Sequence, residues 1–223
     1  MQGLIVGVGS GLSASFARAL AAEGAQVALA ARRTAKLDGL ARETGASVHG
    51  CDAAEPAQVA ALFAAVPAPD VVLFNASFRV RGPFVSLDAA EVRRTLEVSA
   101  FAGFLVAQAA ARSMLPRRAG TIMLTGASAS VKGYAQSAPF AMGKFALRGL
   151  AQSMARELHP HGIHVVHVVV DGGIRAEGRP DPAEAPDSML DPDAIAATMM
   201  ALLHQHRSAW SDEIAVRPWV ERF

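Results

Sequence analysis

The sequence feature that most constrains the fold is the alternation of short apolar runs with longer stretches of helical period. Strands are predicted at residues 3–7, 25–31, 47–51, 70–74, 121–125, 163–170 and 210–216. Helices are predicted at residues 13–23, from Pro56 onward, and at 87–114, 137–158 and 193–204. This alternation is typical of repeated β-α-β units, whose parallel strands are covered by helices on both faces. The sequence therefore predicts an α/β fold with a doubly wound parallel sheet of about seven strands.

Length and composition limit the class of protein. Of 223 residues, 52% are hydrophobic and 18% are charged, so the chain can bury a sizeable core, and residues 1–223 are expected to form a single domain. The formal net charge is +1 and the basic residues are scattered, which argues against nucleic acid and membrane as partners. A small-molecule substrate is expected instead.

Nothing in the sequence predicts export or a metal site. The start of the chain lacks a basic n-region, and the longest apolar run, residues 100–111, is too short to span a bilayer. Cys51 is the only cysteine, which excludes an intrachain disulfide and favours a cytoplasmic location. The seven histidines lack the spacing and converging acids of a zinc site, so no metal is expected.

Two segments near the carboxyl end of the chain carry further predictions. The uninterrupted apolar run 163–170 predicts a strand at the centre of the sheet. Residues 171–192 are rich in proline, glycine and acids, and a loop of that length is more often functional than idle, so we interpret it as a substrate lid. The lid and pocket residues carry no charge pattern that names a substrate, and a mostly apolar one is expected.

A glycine-rich loop joins the first predicted strand to the first helix. Backbone N–H groups and the helix dipole at such a junction can bind a diphosphate, and a Cβ there would block its approach. This motif predicts a dinucleotide site formed by Gly7, Gly9, Ser10, Gly11 and Leu12. A plain glycine-rich turn is the alternative.

The end of the second predicted strand indicates which dinucleotide is bound. Folds that bind NAD(H) usually carry an acid about 20 residues after the loop, where it bonds the adenosine ribose. Here Arg32 and Arg33 occupy that region, and a guanidinium group there would pair with a 2′-phosphate. The sequence therefore favours NADP(H) over NAD(H), the alternative being a solvated basic start to the second helix.

Together these motifs resemble the short-chain dehydrogenase/reductase family over nearly the whole chain. The loop resembles the family's Gly-x3-Gly-x-Gly pattern, with Ser13 in place of the last glycine. The resemblance implies a Rossmann fold and adds cofactor-binding candidates after the third, fourth and sixth strands: Asp52; Asn75, Ala76 and Ser77; and Asp171, Gly172 and Ile174. Singly, Asp52 could be a helix cap and Asn75 a turn residue.

The catalytic positions match that family only in part. Ser128 resembles its serine, and Lys144 resembles the lysine of its Tyr-x3-Lys motif, which also binds the cofactor's ribose. Phe140 stands at the position of the tyrosine, and Ser99 near that of the asparagine on the preceding helix. Because a phenyl ring cannot transfer a proton, the usual general acid is absent. Tyr134, the only tyrosine, is a candidate donor, although packing is its simpler role.

Three interpretations of function remain open. The chain can be an NADP(H)-dependent oxidoreductase that transfers hydride to or from an enone or imine, with the proton coming from Ser128, Tyr134, water or the substrate. It can be an inactive NADP(H)-binding protein that acts as a sensor or scaffold. It can also reduce carbonyls through a weakened site. By resemblance to the family, a homodimer or homotetramer is expected, with the alanine-rich face of residues 101–111 as a packing surface.

Overall fold

A parallel sheet of seven strands runs through the computed structural model, which describes residues 1–176 and 178–221. Its strands are β1 (Gln2–Val6), β2 (Gln26–Ala31), β3 (Ser47–Gly50), β4 (Val71–Phe74), β5 (Gly120–Thr125), β6 (Ile163–Val170) and β9 (Glu213–Val216). Their spatial order is β3-β2-β1-β4-β5-β6-β9, and every neighbouring pair is parallel. The strand order reverses between β1 and β4, where open α/β sheets form a ligand crevice at their carboxyl edge.

Helices cover both faces of the sheet, because each face is apolar. They are α1 (Leu12–Ala22), α2 (Asp38–Thr44), α3 (Pro56–Ala65), α4 (Ala89–Leu96), α5 (Ala102–Met114), α6 (Ala138–Leu158) and α7 (Pro192–Leu203). One buried cluster packs α3, α5 and α6 against the sheet, and a second packs α1 and α7 against it. The doubly wound parallel fold expected from the sequence is thereby confirmed.

The predicted helix 87–114 is interrupted by a wider turn. Asp88 caps α4, its carboxylate accepting a hydrogen bond of 2.6 Å from the backbone N–H of Ala90. Residues Glu97–Phe101 then form a π-helical turn before α5 begins. Such turns occur mostly as single insertions in α-helices, often at functional sites, and hydrophobic periodicity does not reveal them.

The helical stretch Ala89–Arg117 is, by length and composition alone, able to cross a membrane. The apolar run 100–111 lies within this stretch, and the expectation that no segment spans a membrane stays a prediction. However, 44% of its most apolar window is buried inside the protein, as in the core helix of an α/β fold.

The strand β6 is buried along its whole length but does not lie at the centre of the sheet. All eight of its residues are buried, as the apolar run predicts. Its neighbours are β5 and β9, and β9 is the edge strand, so the central position expected for it was wrong. Helical layers on both faces suffice to bury a strand one position from the edge.

The segment 171–192, interpreted as a lid, has structure of its own. Two short parallel strands, β7 (Gly173–Ile174) and β8 (Met189–Leu190), pair within it. The Arg175 guanidinium group ties the segment together, with Nη1 3.4 Å from Asp181 Oδ2 and Nη2 2.5 Å from Asp191 Oδ2. Its role as a lid stays a prediction, and Glu177 within it, like residues 222–223 of the predicted single domain, lies outside the described residues.

Candidate active site

The turn after β1 requires a glycine at its first position. Gly7 has a φ of 87°, and a Cβ built on it would lie 2.3 Å from the backbone nitrogen of Ala76. The Asn75 side-chain amide donates to Ser13 Oγ at 2.7 Å and to the Gly7 carbonyl at 3.5 Å. These bonds join the turn to the end of β4, so Ser13, which stands where the resembled family has glycine, has a structural task here.

The rest of the loop leaves space that fits a diphosphate. A Cβ at Gly9 would meet no protein atom within 4 Å, so this residue borders open space, whereas one at Gly11 would contact Arg175 and Ile174 at 3.8 Å. The first turn of α1 has Gly11 at its N-cap and no side-chain cap, which leaves backbone N–H groups for an anion. Ser10 is exposed beside them, whereas the Leu12 side chain is buried in the core.

Basic side chains surround the far end of this cleft. Arg32 and Arg33 line it together with Lys36, which sequence reasoning missed. Asp52 lines it too, but its carboxylate is engaged: Oδ1 accepts from the Ala54 N–H at 3.1 Å, and Oδ2 lies 3.3 Å from Arg94 Nη2. The helix-cap alternative for Asp52 is not what the structure shows, since the N-cap of α3 is Glu55 and the Asp52 carboxylate bonds the loop before it.

The predicted catalytic residues lie in an adjoining cleft at the same edge of the sheet. Its lining includes Ser128, Tyr134, Phe140 and Lys144, and it shares the two side chains of Asn75 and Ser77 with the first cleft. Because the two clefts meet at these residues, one elongated ligand can extend from the basic end to the lysine.

Lys144 is the buried cation of this cleft. Its side chain is 3% exposed, and Nζ donates a hydrogen bond of 2.7 Å to the Thr125 carbonyl at the end of β5. Burial lowers the pKa of the Lys144 ammonium group to about 8. At neutral pH most molecules therefore keep the ammonium form, which can donate further hydrogen bonds into the cleft.

Phe140 lies one helical turn before Lys144 and brings no titratable group to the site. The Lys144 Nζ atom is 5.8 Å from the centroid of the Phe140 ring. The Arg79 guanidinium carbon is 4.8 Å from the same centroid, so the ring supports a cation rather than a proton donor.

The other two catalytic candidates are placed differently. Tyr134 is exposed at the cleft, and the Nζ atom of Lys132 lies 5.6 Å from the centroid of its ring. Ser99 is fully buried and does not line the cleft. Its Oγ accepts a 3.2 Å hydrogen bond from the Phe78 N–H, which fixes the loop that follows β4.

The candidates after β6 are also divided. Gly172 and Ile174 line the second cleft. The Asp171 side chain is buried, with Oδ2 3.9 Å from Lys132 Nζ and 3.6 Å from Arg217 Nε, so it braces the cleft from behind its surface.

Sequence reasoning missed the arginines of the second cleft. Arg79, Arg81 and Arg179 all line it, so the pocket expected to be mostly apolar has a positively charged wall. Arg79 and Arg81 lie within four residues of the Asn75–Ser77 segment, and this closeness in sequence was the signal that could have identified them.

Comparison with known proteins identifies the family. The sequence pattern described as short chain dehydrogenase matches residues 3–181. A short-chain dehydrogenase from Rhodopseudomonas palustris superimposes with a TM-score of 0.85 at 33% identity, covering 98% of each chain. A metagenomic short-chain oxidoreductase in complex with NADP gives a TM-score of 0.84 at 30% identity, again covering 98% of each chain.

One relative is named for binding a nucleotide and not for a reaction. The cyclic-di-GMP-binding biofilm dispersal mediator protein of Escherichia coli (strain K12) is 32% identical over 184 residues, which is 79% of this chain and 74% of that protein. The sequence pattern covers most of the chain, and the relatives share both its sequence and its fold. This chain is a member of the short-chain dehydrogenase family of oxidoreductases.

Proposed function

We propose that this protein is an NADP(H)-dependent oxidoreductase that transfers hydride to or from a small carbonyl, enone or imine compound. The observation that carries the proposal is the pair of adjoining clefts at the carboxyl edge of the sheet. One holds the glycine loop and three basic side chains, the other holds Ser128 and Lys144, and they share Asn75 and Ser77.

The basic end of the first cleft supports the choice of NADP(H). β2 ends at Ala31 and is followed by Arg32 and Arg33, with no acid to bond the adenosine ribose. With Lys36, these side chains offer three positive charges to a 2′-phosphate. The relative solved in complex with NADP supports the same choice.

The second cleft determines what the chain itself contributes to the reaction. A bound nicotinamide group supplies or accepts the hydride. Lys144, held by the Thr125 carbonyl, would donate its remaining ammonium protons to ribose hydroxyls of the cofactor, and Ser128 would offer its hydroxyl to a substrate oxygen or nitrogen. Tyr134, the only tyrosine of the sequence, also lines this cleft. Enone and imine substrates suit this site best, because their reduction does not need a phenol to protonate a carbonyl oxygen.

Cofactor titration tests this proposal. NADPH and NADH are titrated into the parent protein and into the Arg32→Ala and Arg33→Ala variants, with fluorescence as the readout. We expect NADPH to bind more tightly, and each substitution to weaken NADPH by about 10-fold, as the loss of a charge-assisted hydrogen bond predicts, with little change for NADH. Arg42→Ala, an exposed arginine on α2, is the matched control. A preference of the parent for NADH would overturn the proposal.

A second candidate function is an NADP(H)-binding protein without turnover, acting as a sensor or scaffold. Phe140 favours it, because the family's proton donor is missing while the cofactor-binding residues remain. The curated relative named for binding a nucleotide rather than for a reaction is consistent with it.

We propose two further features. Family resemblance supports assembly as a homodimer or homotetramer, and the length and composition of residues 171–192 support their closing over the substrate.

A further inference from the structure

Three arginines converge on the wall of the second cleft from two distant parts of the chain. Arg79 and Arg81 come from the loop after β4, and Arg179 comes from the segment 171–192. The cleft that they line also contains Ser128 and Lys144. Positive charge is thus concentrated where a substrate would lie in the function proposed above.

No acid neutralises this concentration within residues 1–176 and 178–221. There, no carboxylate oxygen lies within 4.0 Å of a side-chain nitrogen of these three arginines, whereas neighbouring Arg175 pairs with both Asp181 and Asp191. Burial, followed by the charges of Arg81 and Arg179, lowers the pKa of the Arg79 guanidinium group. Like charges held together in this way repel one another until an anion joins them.

The three arginine residues are exposed, and hydrogen bonds hold the backbone next to them. Ser99 Oγ bonds the Phe78 N–H at 3.2 Å, and the Gly82 N–H donates to the Gln136 carbonyl at 3.1 Å, on either side of Arg79. In the other segment, the Arg179 N–H donates to the Ala176 carbonyl at 2.8 Å.

The Phe140 ring packs against the guanidinium group of Arg79. The Arg79 guanidinium carbon lies 4.8 Å from the centroid of that ring. Contact with a ring face leaves the N–H groups at the guanidinium edge free to bond a carboxylate or phosphate. The phenyl ring that removes a proton donor thus presents an anion-binding group beside Lys144.

We propose that the substrate of this cleft carries an anionic group, a carboxylate or a phosphate, which Arg79, Arg81 and Arg179 bind together. The proposal rests on the oxidoreductase function proposed above and specifies its substrate class. Because Arg179 belongs to the segment 171–192 and Arg79 to the body of the domain, one anion would bridge them. Binding would then favour closure of that segment over the cleft.

The site is separate from the phosphate-binding end for the cofactor. Arg32, Arg33 and Lys36 line the first cleft, and none of them lines the second. Substitutions in the arginine cluster should therefore change substrate binding and leave cofactor affinity unchanged, which makes the two proposals separable.

Calorimetric titration with three matched aryl ketones tests the inference. The probes are para-acetylbenzoate, para-acetylphenyl phosphate and uncharged para-acetylbenzamide, each titrated into protein saturated with NADP+, so that no turnover occurs. We expect at least one anionic probe to bind about 10- to 100-fold more tightly than the amide, as one or two charge-assisted hydrogen bonds predict. Which anion binds more tightly identifies the anionic group.

Variants then show which residues are responsible. The double variant R79Q/R179Q should bind the anionic probes no better than the amide, while its NADPH affinity matches that of the parent. The double variant R42Q/R207Q, at two exposed arginines that line neither cleft, is the control with the same loss of charge. The inference is overturned if no probe binds, if the amide binds as tightly as the anions, or if R79Q/R179Q keeps the parent's preference. Failure of NADPH itself to bind would instead count against the proposed function.

Discussion

Phe140 brings a phenyl ring to the second cleft, one helical turn before Lys144. A phenol at this position would stand one turn from Lys144 and could donate a proton; the phenyl ring cannot. The ring does, however, hold the Arg79 guanidinium group at 4.8 Å from its centroid. Under the proposed function, this contact favours binding of a charged substrate over protonation of a ketone oxygen.

Restoring the phenol separates the two candidate functions. In Phe140→Tyr, reduction of simple ketones should rise by about 10²- to 10⁴-fold, the usual contribution of a positioned general acid. The measurement is NADPH oxidation with carbonyl, enone and imine substrates. Phe84→Tyr, which adds the same hydroxyl to an exposed ring that lines neither cleft, should leave this activity unchanged. Parent turnover of enones or imines supports the oxidoreductase, and turnover that appears only in the variant supports the inactive binder.

The sequence predicts those parts of the site that lie close together in the chain. Gly7, Gly9 and Gly11 were identifiable as a candidate phosphate loop because this motif is local in sequence, and the structure places a turn with positive φ at Gly7 and open space beside Gly9. The arginine cluster was not identifiable, because Arg79 and Arg179 meet only after the sheet is assembled. The buried position of Ser99 likewise depends on how the π-helical turn packs, which local periodicity does not encode.

At the scale of the element, an ionic tie secures the edge strand of the sheet. Glu213 on β9 accepts two hydrogen bonds from Arg148 on α6, at 2.7 and 2.6 Å. Its Oε2 also lies 2.9 Å from Nδ1 of His167 on β6, which is fully buried. These bonds, above all those from Arg148, lower the pKa of the Glu213 carboxyl group. The tie connects three elements that are far apart in sequence.

Glu213→Gln should therefore lower the free energy of unfolding at pH 7 by about 1 to 3 kcal/mol, the cost of leaving charged or buried groups poorly paired. The native pKa of Glu213 is lowered, so its contribution is complete above the unfolded value of 4.5 and is lost as the pH falls through the native value. Urea unfolding of parent and variant should consequently converge in acid. Glu157→Gln, at an exposed position of α6, is the control. A difference that is independent of pH would contradict this account.

The type of each strand was easier to predict from the sequence than its bounds or its place in the sheet. All seven strands of the sheet were predicted in type, since each strand is an apolar run, but the last one begins at Glu213 rather than at residue 210. Trp210 stacks on the His164 ring, with centroids 4.7 Å apart, and this contact holds it outside the strand. The place of β6 next to the edge was mispredicted because burial depends on the helical layers as well as on strand order.

At the scale of the whole molecule, the outer surfaces of two helices carry exposed apolar side chains. Phe101, at the end of the π-helical turn, and Phe104 on α5 have rings 6.3 Å apart and face solvent. Met142 and Phe145 are exposed on α6. Exposed aromatic side chains that occur together are typical of protein contact surfaces, and Phe101 and Phe104 lie within residues 101–111, which the resemblance implicates in assembly.

Assembly through these faces predicts a dimer or tetramer at micromolar concentration, because burying each phenyl ring would contribute about 1.5 to 3 kcal/mol. Light scattering after size exclusion measures the mass directly. Phe104→Arg and Phe145→Arg should each shift the protein toward the monomer, since each places a charge inside the apolar contact. Val85→Arg, at a residue that is 92% exposed outside both helices, should leave the mass unchanged. A parent that elutes as a monomer across the concentration range would refute assembly, and would leave the clefts of a single chain to carry the function alone.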